Sequence, residues 1–316
     1  MASPQSDPAT AYSDTTTRTR AQLLAYAVAA WAAMPDYRDT NMAAFISALV
    51  PRVRAGQLAV ANLTSVRMAQ LASGPAHARQ LSPAHQVSIV PAPVSGSEPT
   101  AGQPGQFMAA PGQSATPRLV HSVPRLVRPA GQVHPVLVDP TLVQGGRGVP
   151  AEQVYRRPAV EVYTALSKDV ALEEAVQRGQ TRLESLIATD LQMAKVRQAD
   201  ASLKASGKKY FRRVLKGEHN CALCIIASTQ RYRVGELMPI HPGCDCEVEP
   251  LDDPHTPLIL DRELLEATHQ MVKEFGADSN RSAKGYRDLI VTHEHGEIGP
   301  VMAWRKQKFA GPASVH

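Results

Sequence analysis

Aromatic residues are scarce in this chain: they fill 5% of its 316 positions, and only two are tryptophan. Much of the 43% hydrophobic content is alanine and valine, so modest helical packing is expected and a large aromatic-rich core is not. Charge is also sparse. Lys, Arg, Asp and Glu make up 20% of the residues and the formal net charge is +5. Enough apolar side chains remain to bury a core, which excludes wholesale disorder, and the length points to one to three domains. No apolar run is long enough to cross a bilayer. The longest, Leu23 to Met34, has 12 residues, against the ~18–20 a spanning helix needs. It follows Arg18 and Arg20 and faintly resembles a signal peptide. A mostly polar stretch precedes it, however, and the apolar pattern resumes at Met42, Phe45, Ile46 and Leu49, so an Ala-rich buried helix is the expectation.

Cysteine is rare and its placement is informative. The four cysteines, Cys221, Cys224, Cys244 and Cys246, fall within 26 residues. A disulfide framework scatters its cysteines through the parts that need stapling. Two close pairs with a histidine beside the second have the pattern of a metal site, which implies folding in a reducing cytoplasm. Proline is plentiful for this length: 13 of 25 lie between Pro83 and Pro158, marking a break in the architecture.

The chain divides accordingly. Residues 1–16, rich in Ser, Thr, Pro and Ala, read as a disordered N-terminus. Residues 17–80 read as a unit of two or three helices, with Met42, Phe45, Ile46, Leu49 and Val53 on one face and Pro51 kinking or restarting the helix. Residues 81–147 hold no period and read as a Pro/Gly-rich linker or arm. In 148–206 a long helix is expected from about Leu172 to Leu203. Leu183, Leu186, Ile187, Leu191 and Ala194 form its stripe, and Gly207 is its stop. Residues 207–256 form the Cys/His module. Residues 257–316 read as a helix, Leu258 to Phe275, followed by a small hairpin between Asp288 and Trp304 around a Gly299–Pro300 turn. The expected fold is mainly α, with a small α+β zinc-stabilised C-terminal module and a long Pro-rich linker between helical regions.

The module's spacing is Cys221-x2-Cys224, sixteen residues, then His241-x2-Cys244-x-Cys246. Structural zinc takes four tetrahedral thiolate or imidazole donors. Cys-x2-Cys presents two sulfurs from one tight turn, and the sixteen residues, with Gly235 and Pro239 in the return, suffice for a short hairpin that brings the second pair back. Five candidates compete for four places around one ion. Cys244 and Cys246, two apart, would share a side of an extended strand, permitting four cysteines with His241 outside. Three cysteines plus His241 is equally permissible, and His219 is a weaker candidate. A catalytic site would need an open position and a neighbouring base, and His241-Pro-Gly-Cys244 does not supply the deaminase pattern.

These residues carry a resemblance. Tyr210-Phe-Arg-Arg-Val-Leu-Lys-Gly-Glu-His-Asn-Cys221-Ala-Leu-Cys224, followed by Met238-Pro-Ile-His241-Pro-Gly-Cys244-Asp-Cys246, resembles the C-terminal module of phage Mu F-like minor head proteins, in the form carried by actinobacteriophages. The likeness covers roughly residues 149–310, including the tail from His295 to Arg305, and is weak before them. Asp245 stands where many relatives carry arginine, outside the ligand set. The resemblance implies a non-enzymatic minor capsid protein acting in head morphogenesis. It implies a place in the host cytoplasm during assembly and then in the virion, inside the head near the portal, with the portal or major capsid protein as partner. Related proteins are sometimes labelled capsid maturation proteases, so a prohead protease is the alternative, and a zinc-dependent DNA-acting enzyme a further one.

Lys204, Lys208, Lys209, Arg212, Arg213 and Lys216 place six positive charges in 13 residues around Tyr210 and Phe211. Beside a packaged genome they would make non-specific phosphate contacts; the plainer reading is a solvated helix end complementing its dipole. His293-Glu-His295 reads as a turn with exposed histidines. No Gly-x-Ser-x-Gly elbow is present, and no catalytic residue is assigned.

Overall fold

The computed structural model describes residues 8–74, 133–144, 147–215, 222–240, 246–253, 290–295 and 298–304. It is mainly helical, with a small antiparallel sheet and a separate two-stranded hairpin. No helix among these residues is long and apolar enough to cross a membrane. The segment expected as a helix over Leu258–Phe275 lies outside the described residues.

Helix α1 runs Pro8–Ala32, so part of the Ser/Thr-rich start is helical. Its hydroxyls explain how: Thr15 Oγ1 donates to the Ala11 carbonyl at 2.7 Å and Thr19 Oγ1 to Thr15 at 2.9 Å, satisfying threonine one turn back without leaving the helix. Leu23, Ala27 and Trp31 recur every fourth residue on its buried side. Helix α2 runs Asp39–Ser73 without interruption. Pro51 therefore does not restart it, the second of the two expected outcomes. Pro51 and Ser47, whose carbonyl loses its amide partner, are both exposed, so water replaces the missing bond.

Short helices α3 (Pro140–Gln144) and α4 (Ala151–Val154) precede α5 (Arg157–Leu166) and the long α6 (Leu172–Ala205). Helix α6 matches the expected span within two residues and ends as anticipated. Ser206 caps it and Gly207 follows at φ +73°, the left-handed conformation glycine takes without a Cβ penalty.

The helices that the Pro-rich segment separates in sequence share one core. Leu23 and Trp31 of α1, Phe45, Ile46 and Leu49 of α2, Val162 of α5, and Leu183, Leu186 and Ile187 of α6 all belong to it. Each large side chain there contributes about 1.5–3 kcal/mol by leaving water. Trp31 is wholly buried, 4.5 Å from the Tyr37 ring and edge-on to Phe45 at 5.8 Å.

Residues 133–144, within the range read as a linker, lie along this body. Val133 N–H donates to Ser73 Oγ at 2.9 Å. Ser65 Oγ and Gln198 Nε2 both donate to the Val136 carbonyl, at 2.5 and 3.1 Å, and Arg197 Nη1 reaches the Leu142 carbonyl at 3.1 Å. Val143 packs on Ala61 and Ala194, whose small side chains leave room for it.

Beyond α6, strands β1 (Tyr210–Val214), β2 (Arg231–Arg233) and β3 (Glu247–Leu251) form an antiparallel sheet in the order β2-β1-β3, and helix α7 (Ala222–Ser228) lies between β1 and β2 in sequence. Phe211, wholly buried, stacks on Tyr232 at 5.2 Å and packs with Met68, Ala199, Leu203 and Val248, joining the sheet to α2 and α6. Strands β4 (Ile290–His295) and β5 (Gly299–Trp304) make the C-terminal hairpin. The expected turn is displaced: Gly299 and Pro300 open β5, opposite His295 and Glu294. Proline is tolerated there because a two-stranded ribbon has an unpaired side to accommodate its missing N–H. The same register corrects the reading of His293-Glu-His295, which is strand and not turn. Val301 and Ala303 pack on Met193 of α6, and the Met302 amide donates to the Pro239 carbonyl at 2.9 Å, so the hairpin touches both body and module.

Candidate metal centre

Strand β1 precedes both cysteine pairs in sequence and is the central strand of the sheet, between β2 and β3. Its alternation sends Phe211 and Arg213 to the buried face and leaves Tyr210, Arg212 and Val214 on the other. Pairing with β3 runs from Tyr210 opposite Leu251 to Val214 opposite Glu247, which places Cys246 at the strand's entrance. The sixteen-residue return is not a self-contained hairpin. It comprises most of α7, then β2 on the far side of β1, then a turn at Gly235 (φ +99°) and an extended run to Ile240.

This arrangement brings one cysteine of each pair to the same place. Cys224, 3% exposed on α7, belongs to a small apolar cluster with Leu223, Ala227, Ile240 and Met302, and half-buried Cys246 packs against that cluster with Leu215 and Tyr232. Tyr232 also donates its hydroxyl to the Ala227 carbonyl at 2.9 Å, tying β2 to α7. Wholly buried Ile240 fixes the chain one residue before His241. Cys221, His241 and Cys244 lie outside the described residues, and so does His219. Among the described residues no three His, Cys, Asp or Glu side chains converge as a metal site.

The donor chemistry nevertheless suits a thiolate-bound metal. Arg213, 3% exposed, directs Nη1 at Cys246 Sγ at 3.6 Å. Its Nη2 donates to the Met238 carbonyl, and its guanidinium carbon stands 5.6 Å from the Tyr232 ring centroid. A buried guanidinium facing sulfur is compatible with a thiolate there.

The basic residues read as a phosphate-binding patch are dispersed. Lys204 pairs with Asp200 one turn back at 2.6 Å. Lys208 pairs with Asp252. Arg212 sits directly opposite Glu249 across β1 and β3 and donates to its Oε2 at 2.7 and 3.1 Å. Arg213 points inward, Lys209 is exposed, and Lys216 lies outside the described residues. Arg213's position beside Cys246 was missed by reading the charges as a run. The signal was present in Phe211-Arg-Arg213, because two-residue spacing on a strand puts the arginine on the phenylalanine's face.

A second polar centre lies within the helical body. Asp190 Oδ1 accepts from Arg147 Nε and Oδ2 from the Tyr155 hydroxyl, both at 2.7 Å, while Arg147 Nη2 donates to the Leu186 carbonyl at 3.2 Å. Arg157 and Arg182 are held below the ordinary arginine range, first by burial and then by the charge of Arg147. The adjoining cavity, about 30 Å³, has room for about one water. It lacks the volume of a substrate site and reads as a latch holding Arg147 and Tyr155 to α6.

No family model matches the chain, and neither a curated protein nor a solved structure matches it.

Proposed function

We propose that this chain is a structural protein of a bacteriophage head, of the Mu F-like minor capsid type, whose C-terminal module is held by one structural zinc ion. The helical body, with residues 133–144 along it, would dock on the portal or major capsid protein inside the head, and the module would present a rigid surface beside it. The motif resemblance supports the class. The observation that carries the metal reading is the meeting of Cys224 and Cys246, one from each pair, against a single cluster. Cys221 and Cys224 would supply two ligands, and two of His241, Cys244 and Cys246 the others. Bound there, zinc would cross-link the α7 side of the module to the entrance of β3, a folding role. The protein's own residues prepare that role: β1 pairs both flanking strands, Tyr232 ties β2 to α7, and Ile240 anchors the returning chain.

The test is quantitative mass spectrometry of purified particles against infected-cell lysate, with metal analysis of the full chain. A few full-length copies per particle and one zinc per chain are expected. Abundance in lysate with truncation or loss from particles would replace this reading with that of a maturation protease.

A further inference from the structure

We infer that Arg213 is the positioning residue of the metal centre, supplying the positive charge that holds Cys246 as a ligand, so that Cys246 is among the four donors and not the candidate left over. This rests on the zinc reading above and goes beyond it by naming the outer-shell partner and choosing between candidates that spacing leaves open.

Three features of the structure converge on this role. Arg213 is 3% exposed, yet among the described residues its guanidinium meets Cys246 Sγ, the Met238 carbonyl and the Tyr232 ring, and no carboxylate. Its Nε, also buried, has no acceptor among the described residues. The neighbouring arginine shows what an ordinary pairing on this sheet looks like, since Arg212 has Glu249 directly opposite. Burying a guanidinium without an anion is unfavourable, and a neutral thiol is too weak an acceptor to balance it. A metal-bound thiolate is not. Thiolate-rich zinc centres carry net negative charge, and a buried cation donating to one sulfur offsets it and fixes the sulfur's direction. The placement is backed by the fold: β1 holds the Arg213 backbone opposite Val248, two residues beyond Cys246.

The experiment uses the zinc-loaded full chain and chelator competition, comparing wild type, Arg213→Met, Arg213→Lys, Cys246→Ser and the Arg213→Met/Cys246→Ser double variant. Arg213→Met should weaken zinc binding about 10–100-fold, the usual effect of losing an outer-shell partner, with Arg213→Lys recovering part of it. In the Cys246→Ser background the same change should have less than about a tenth of that effect, because the two residues act as a unit. In cobalt-substituted protein, Arg213→Met should also shift the thiolate-to-metal charge-transfer band, which a purely structural role would leave unmoved. Unchanged affinity and an unshifted band in Arg213→Met overturn the inference, as does an equal loss with and without Cys246. If Arg213→Met fails to fold, the Arg213→Lys band and affinity decide in the same way. A wild-type chain that takes up no metal overturns the zinc reading itself and this inference with it, an outcome distinct from the others.

Discussion

Tyr155 donates its hydroxyl to Asp190 at 2.7 Å inside the helical body, so a tyrosine beside α4 is fastened to the middle of α6. The other oxygen of the same carboxylate takes Arg147, whose side chain is 6% exposed. Removing the acceptor would leave that guanidinium buried without its anion. Asp190→Ala should therefore lower the unfolding free energy by about 3–5 kcal/mol, read by urea denaturation. Tyr155→Phe, which removes one hydrogen bond to a charged group, should cost about 1.5–3 kcal/mol. A loss below about 1 kcal/mol for Asp190→Ala would mean that Arg147 escapes to solvent and that the latch is not closed in solution.

The same pair gives the protein an alkaline limit. Burial, reinforced by the charge of Asp190 and the hydrogen bond to it, pushes the Tyr155 hydroxyl well above the ordinary tyrosine value. A proton held more tightly in the folded than in the unfolded state stabilises the fold fully below the unfolded pKa, about 10 for tyrosine. That contribution is lost as pH rises from there through the folded value. The stability difference between wild type and Tyr155→Phe should stay constant up to about pH 10 and shrink above it. A difference that instead changes between neutral pH and 9, in denaturation curves taken across that range, would assign the linkage to another group.

Gly179 allows α1 and α5 to approach α6 more closely than a Cβ would permit. A Cβ at this position would stand 2.6 Å from Val162 Cγ2, 2.7 Å from Trp31 Cζ2 and 2.9 Å from the Pro158 carbonyl oxygen. Two of these neighbours, a wholly buried indole and a backbone oxygen, have little freedom to yield. Gly179→Ala should destabilise by about 1–3 kcal/mol through overpacking, although in a solvated helix the same change stabilises. The check is a thermal melt of the variant with Trp31 fluorescence as the local probe, and an unchanged or raised midpoint would show that α5 separates from α6 at little cost.

Much of the helical architecture was legible because helices write their period into sequence. The Leu183-to-Ala194 stripe and Gly207 located α6 closely, and Met42 to Val53 located the buried face of α2. The restart that Pro51 suggested did not occur, because the carbonyl it leaves unpaired lies on the solvent face. Residues 133–144 lack any period because their attachment runs through backbone carbonyls taken by Ser65 and Gln198, side chains far away in sequence. Strand β1 was hidden by its arginines, which as a charge run suggested a helix end, while their alternation separates an inward Arg213 from an outward Arg212. Spacing alone made Cys224 and Cys246 two of five candidates without choosing among them, whereas their approach to one apolar cluster and the guanidinium beside Cys246 required the fold.

The module and the body should respond differently to metal loss. If zinc holds α7 against the entrance of β3, chelation or Cys224→Ser should raise amide exchange across β1, β2 and β3. Helices α1, α2 and α6 keep their own core of Leu23, Leu49 and Leu186 and should stay protected. Far-UV circular dichroism should then retain most of its helical signal while the sheet exchanges. Uniform loss of protection would show that Phe211, which packs against Met68 and Leu203, makes sheet and body a single cooperative unit.

Arg212 and Lys209 separate a structural charge from a phosphate contact. Arg212 is committed to Glu249 across the strands, with side chains 17% and 24% exposed, so Arg212→Ala should cost about 0.2–1 kcal/mol of stability, and Glu249→Gln should reproduce that cost. Lys209 is exposed at the mouth of β1. If this edge meets packaged DNA, Lys209→Ala should leave stability unchanged and reduce the salt dependence of non-specific duplex binding by about one charge. Arg212→Ala should not alter that slope, because its guanidinium is held by a carboxylate before any phosphate arrives. A binding titration over several salt concentrations distinguishes the two: equal slopes for wild type and Lys209→Ala remove this edge from the DNA-facing surface, and a reduced slope for Arg212→Ala means the Glu249 pair opens to exchange its carboxylate for phosphate.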